Sequence, residues 1–184
     1  MTTRTPIRPT PRDAPAGATV FIGLGANLGD AHATLRDALN ALQALAVPGS
    51  LEASSLYASA PVDSSGPDYV NAVARLRTAL APHALLDALQ AIEQRFGRER
   101  PYRNAPRTLD LDILLFGVED DLGGVSMADD RLVVPHPRAA QRTFVLEPLA
   151  ELWPRGEIPG AGRVADLLVA ARRDPTQRVG RLAP

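Results

Sequence analysis

The chain reads as an α+β protein, an antiparallel sheet with helices on one face followed by a C-terminal extension, and three observations lead there. Apolar residues alternate with period two at Val20, Ile22 and Leu24, at Val70, Ala72, Ala74 and Leu76, and at Leu109, Leu111 and Ile113. They fall near helical spacing at Leu35, Leu39, Leu42 and Leu45, and again at Leu85, Leu86, Leu89, Ile92 and Phe96. Glycine and proline clusters separate these runs, so strands and helices alternate in a fixed order.

Taken in turn, residues 1–17 hold Pro6, Pro9, Pro11 and Pro15 among Thr, Arg and Ala, a composition expected to stay disordered. A strand is expected from Thr19, ending in the turn signals Gly25, Asn27 and Gly29, after which Asp30 can cap a helix from Ala31 to Ala46. Pro48-Gly49 stops that helix, and Leu51 to Tyr57 reads as a second strand. A loop through Pro61, Gly66 and Pro67 leads to a strand from Tyr69 to Leu80. Pro82 suits the first turn of a helix to about Phe96, which Gly97 ends. The last strand of the unit runs from Thr108 to Phe116. This order, β-α-β-β-α-β, is that of the ferredoxin-like split βαβ unit with both helices on one face. Beyond it, Gly117 to Asp130 reads as a loop with a short strand near Val125, and Val164 to Arg172 as a short helix. One domain over 18–175 with a flexible end at 176–184 fits the 184-residue length.

Composition excludes more than it selects. Net charge is −1, so neither nucleic acid nor a membrane surface is expected as a partner, and any polyanion site must be local. Cysteine is absent, which removes disulfides, thiolate metal ligands and a cysteine nucleophile. No run is long and apolar enough to span a bilayer, and the first residues lack a secretory apolar core, so a cytoplasmic protein is expected. All 20 basic residues are arginine. Five of them, Arg95, Arg98, Arg100, Arg103 and Arg107, stand within thirteen residues against one acid, Glu99.

That basic segment runs directly into RTLDLDIL. In a strand Asp110 and Asp112 point to one face while Leu109, Leu111 and Ile113 point to the other. Two like charges two residues apart repel unless cations bridge them, and Mg²⁺ takes one or two carboxylates together with substrate phosphates. Arginines beside such a pair suit a polyphosphate.

The stretch RNAPRTLDLDIL at 103–114 resembles the signature of the 6-hydroxymethyl-7,8-dihydropterin pyrophosphokinase family of folate biosynthesis. IGLGANLGD at 22–30, PDYVNAV at 67–73 and RLVVPHP at 131–137 are similar to the family's first strand and turn, pterin strand and nucleotide segment, in the family's order. The resemblance implies a Mg-dependent enzyme, acting as a monomer, that transfers pyrophosphate from ATP to a pterin alcohol and releases AMP. It implies that Asp110 and Asp112 hold two Mg²⁺ ions and that Arg98, Arg100, Arg103, Arg107, Arg131, His136 and Arg142 contact phosphate and nucleotide. It further implies that Tyr69 and Phe144 sandwich the pterin, that Asn71 reads its edge, and that backbone groups near Ser59 and Val62 complete the rim. The base is left open between either aspartate and no protein group. Departures from the family pattern are Asn104-Ala105 for Trp-Gly, Pro137 for an aromatic residue, Val133 for a hydroxyl residue and Ala60 for the first of two prolines.

A second reading belongs to another class: a ferredoxin-like regulatory module that binds a metabolite without chemistry. The paired carboxylates, which such a module does not require, count against it.

Overall fold

The computed structural model describes residues 17–61, 66–97, 108–117 and 124–183. Within them β1 (Ala18–Ala26) lies between β4 (Tyr69–Thr78) and β5 (Asp110–Phe116), antiparallel to both. Its alternation divides the core. Val20, Ile22 and Leu24 face one layer, and Phe21 faces the other.

The first layer is built by α1 (Ala31–Leu42) and α2 (Pro82–Arg95). Asp30 starts α1 by accepting a hydrogen bond from the Ala33 N–H at 2.9 Å, satisfying one donor that the first turn leaves open. Leu35, Ala38 and Leu42 of α1 and Leu85, Leu89 and Ile92 of α2 then pack on Ile22, Leu24, Leu111 and Ile113. The α1 helix stops four residues short of expectation, continuing as a 3₁₀ turn over Gln43–Leu45. Gly97, at φ +74°, follows α2 as expected.

The strand expected at 51–57 is two short ones, β2 (Glu52–Ala53) and β3 (Tyr57–Ser59), both paired with β4. Ser54 breaks the ladder between them. Its N–H donates to the Val73 carbonyl at 2.9 Å, but the Val73 N–H donates to the Ser54 hydroxyl at 3.0 Å instead of to a main-chain carbonyl.

The two helices of the unit, α1 and α2, share one face as expected, but the sheet is not left one-sided: helices that follow β5 cover the second face. α3 (Thr143–Leu152) and α4 (Val164–Ala171) bury the second face, where Val145, Leu146, Leu149 and Leu168 meet Phe21, Val73, Leu114 and Leu115. The physical reason is that β1, β4 and β5 carry large apolar residues on both sides, and each apolar face needs a cover. Trp153 joins this layer, stacked on Phe21 with ring centres 5.1 Å apart. A hairpin of β6 (Met127–Ala128) and β7 (Val133–Val134) replaces the single strand expected near Val125. A second hairpin, β8 (Glu157–Ile158) with β9 (Gly162–Arg163), precedes α4. The C-terminal segment departs from the flexible end expected for 176–184. Val179–Arg181 form β10, which pairs with β3 and extends the strand order to β10-β3-β4-β1-β5. The Leu182 N–H continues the contact to the Leu56 carbonyl at 2.8 Å. The tail expected at 1–17 lies, apart from Gly17, outside the described residues.

Candidate active site

On the face under α3 the central strands change character along their length. At one end Phe21, Val73 and Leu114 are buried. At the other, Gly23, Gly25, Tyr69, Asn71, Asp110 and Asp112 line a cavity of about 120 Å³. Register explains the grouping: Gly25 stands opposite Asn71 on β4 and opposite Asp110 on β5, and Gly23 opposite Val73 and Asp112. The two rows therefore run straight across three strands. Glycine leaves the peptide plane itself as the cavity floor. A Cβ on Gly25 would lie 3.5 Å from Asn71 Oδ1 and 3.9 Å from the Tyr69 ring, and one on Gly23 would lie 3.3 Å from Leu114.

Asn71 is 4% exposed, and its amide nitrogen donates to Ser59 Oγ at 2.9 Å and to the Tyr57 carbonyl at 3.4 Å. Both donors are thus turned toward β3, and the carbonyl oxygen is turned toward β1. The carboxylates of Asp110 and Asp112 are half-buried on the same face of β5, separated by the buried Leu111, whose side chain points into the opposite core.

His136 and Arg142 close the cavity opposite the strands. The His136 N–H donates to the Leu114 carbonyl at 2.9 Å, fixing the turn that follows the cis Val134–Pro135 bond. Its Nδ1 accepts from the Arg138 N–H at 3.2 Å, which leaves the neutral ring with its proton on Nε2. Burial, and then the nearby Arg142 charge, hold this imidazole below the usual histidine pKa, while Asp110 pulls the other way. Arg142 immediately precedes α3, and its guanidinium carbon lies 5.3 Å from the centre of the Phe144 ring. The positive end of the α3 dipole thus adds to the arginine charge.

Of the residues expected from the sequence, Ser59, Tyr69, Asn71, Asp110, Asp112, His136, Arg142 and Phe144 all line this one cavity. Arg131 is placed elsewhere: its guanidinium pairs with Asp87 of α2, and its N–H donates to Asp129 Oδ1 at 2.8 Å. Val62, Arg98, Arg100, Arg103 and Arg107 lie outside the described residues. The sequence reading missed Gly23 and Gly25 as floor residues, although two glycines spaced for one face of a strand are a signal of close approach by a ligand. Among the described residues no group of three or more His, Asp or Glu side chains gathers for a metal. A larger groove of about 730 Å³ between α1 and the C-terminal strand is lined by His32, Arg36, Ser54, Ser55, Arg181 and apolar residues, with no carboxylate among its described lining.

Comparison with known proteins agrees with the geometry. A family profile described as 7,8-dihydro-6-hydroxymethylpterin-pyrophosphokinase (HPPK) matches residues 21–154. The 2-amino-4-hydroxy-6-hydroxymethyldihydropteridine pyrophosphokinase of Pseudomonas aeruginosa is 43% identical over 162 residues, covering 87% of this chain and 96% of that protein. The enzyme of the same name from Haemophilus influenzae is 40% identical over 151 residues, covering 82% and 91%. Solved structures share the fold at low identity. An HPPK-DHPS in complex with substrates superposes with a TM-score of 0.68 at 13% identity, over 92% of this chain and 47% of that one. The Plasmodium falciparum HPPK-DHPS with STZ-DHP does so with 0.66 at 14%, over 90% and 46%, so the chain spans about half the length of these structures. The profile match across the sheet and the cavity, with relatives 40% and 43% identical over more than nine-tenths of their own length, shows that this chain belongs to the 7,8-dihydro-6-hydroxymethylpterin-pyrophosphokinase family.

Proposed function

We infer that the cavity on β1, β4 and β5 is where this chain carries out its family's reaction, transfer of pyrophosphate from ATP to 6-hydroxymethyl-7,8-dihydropterin with release of AMP. The observation that carries the assignment of the site is the row Asn71–Gly25–Asp110, which sets an amide at one end of a bare backbone floor and carboxylates at the other. The pterin lies at the Asn71 end. Tyr69 and Phe144 cover its faces, and the Asn71 carbonyl oxygen, aimed by Ser59, accepts from its edge. The polyphosphate lies at the Asp110 end, with the Arg142 charge and the His136 Nε2–H as its donors.

Two carboxylates fit Mg²⁺ in this setting, because the ion commonly takes one or two from the protein and completes its shell with phosphate oxygen and water. Asp110 and Asp112 would hold it, and we assign two ions to the pair. The chemistry such an ion would supply there is neutralisation of phosphate charge and polarisation of the phosphoryl group. The protein groups hold the two substrates in line across the glycine floor.

The interleaved order β3-β4-β1-β5 supports the ferredoxin-like split βαβ arrangement as one domain from residue 18, which β10 extends past the expected end at 175. The test is chromatography of nucleotides after incubation with Mg-ATP and the pterin alcohol. AMP formed with pterin, and at least about 10²-fold more slowly by Asp112→Ala, is expected. ADP, or an unchanged rate in the variant, would overturn the reading.

A further inference from the structure

A buried acid outside the cavity bears on the carboxylate pair. Glu93, in the last turn of α2, is 2% exposed although carboxylates rarely leave solvent without cause. Its Oε1 accepts a hydrogen bond from the Leu111 N–H at 2.9 Å, a contact buried from solvent. Leu111 is the residue between Asp110 and Asp112.

The strand geometry explains why that bond is placed there. Among the described residues β5 has one sheet neighbour, β1, so beside Leu111 its other edge has no strand to pair with. Pairs in an antiparallel ladder alternate between those that exchange main-chain hydrogen bonds and those whose N–H groups point outward. Leu111, opposite Leu24, donates outward to Glu93, which makes its neighbours Asp110 and Asp112 the residues bonded inward to Gly25 and Gly23. The strand segment bearing both carboxylates is therefore held from two sides, by β1 at the aspartates and by Glu93 at the residue between them. A carboxylate is suited to this because it only accepts, so the outward N–H meets an acceptor in either orientation of the group.

We propose that Glu93 is a positioning residue for Asp110 and Asp112, setting from the open edge of the sheet the geometry in which the pair meets the divalent ion and the polyphosphate. This rests on the metal reading of that pair given above. Glu93 touches neither substrate nor reacting atom in this role. It acts through the backbone of β5, as a partner behind a ligand whose loss commonly costs 10–100-fold in metal affinity.

The test uses the full chain and two variants. Glu93→Met fills the volume without accepting a hydrogen bond, and Glu93→Gln keeps an acceptor. Amide hydrogen exchange in the wild type is expected to find Leu111 protected although it faces the unpaired edge. In Glu93→Met that protection is expected to be lost while Val20 and Ile22 keep theirs. The Mg²⁺ concentration for half-maximal ATP binding is expected to rise about 10–100-fold with pterin affinity unchanged, and Glu93→Gln to recover most of the loss. Rapid exchange at Leu111 in the wild type would overturn the proposal even if neither variant folds. So would an unchanged Mg²⁺ requirement in Glu93→Met, equal damage in both variants, or a parallel loss of pterin binding. Failure of the wild type to form AMP would instead refute the assignment of the site, while the Leu111 exchange arm would still decide whether Glu93 anchors β5.

Discussion

At the scale of single residues the site depends as much on side chains left out as on those present. Gly25→Ala adds a methyl group that meets Asn71 and Tyr69 at ordinary contact distance, so the fold should accept it while the cavity floor rises. The Michaelis constant for pterin is expected to increase about tenfold or more, the scale of one misplaced methylene, with the melting temperature nearly unchanged. Steady-state kinetics beside thermal denaturation separates the two effects. Ser59→Ala takes the acceptor from one Asn71 N–H inside the sheet and should cost about 1–3 kcal/mol of stability, whereas Ser59→Thr, which restores the hydroxyl, should not. Urea titration of the pair checks this. The aspartates were legible in the sequence because their spacing alone puts them on one face of a strand. Ser59 was reached only through family resemblance and then for its backbone. Its hydroxyl bond to Asn71 joins residues twelve apart, and no local pattern reports such a contact.

Among elements, what the sequence disclosed follows the length of each periodic run. β1, β4, β5, α1 and α2 each repeat their pattern long enough to be read, and the structure places all five close to the expected positions. β10 has three residues, too few for a period, and gains its place by pairing with β3. α3 is ten residues with Pro148 inside, and proline ordinarily reads as a stop. β10 also joins a polar cluster. Glu151 of α3 accepts from the Ser55 N–H and hydroxyl and from the Tyr57 hydroxyl, and Arg181 of β10 reaches the same carboxylate at 3.5 Å. Burial, and then the Glu151 hydrogen bond, push the Tyr57 phenol up to about 12. Removing residues 178–184 deletes the strand and the arginine together. A loss of about 1–2 kcal/mol, near 4 °C in melting temperature for a chain of this size, is expected by calorimetry.

The whole molecule divides one sheet face into a half that packs against helices and a half that lines the cavity, and His136 belongs to both. Its backbone is tied to Leu114 in the buried half while its ring enters the cavity. Because the folded-state pKa lies below the unfolded value, the unfolded chain takes up the proton first as pH falls. The stability this group contributes is present above the ordinary histidine range and is lost as pH drops through that range toward the folded pKa. Denaturant titrations at pH 7.5 and below the ordinary range, roughly pH 5.5, should therefore find a smaller acid-induced loss in His136→Gln than in the wild type. The row Asn71–Gly25–Asp110 has a consequence of another kind. Its ends stand two inter-strand spacings apart, roughly 10 Å between backbones, a distance set by main-chain hydrogen bonds and not by rotamers. The sheet thus works as a ruler with fixed graduations. With the pterin placed as proposed above, an alcohol carried one carbon further from its ring is expected to react more slowly, because the fixed span would not bring its oxygen to the same point.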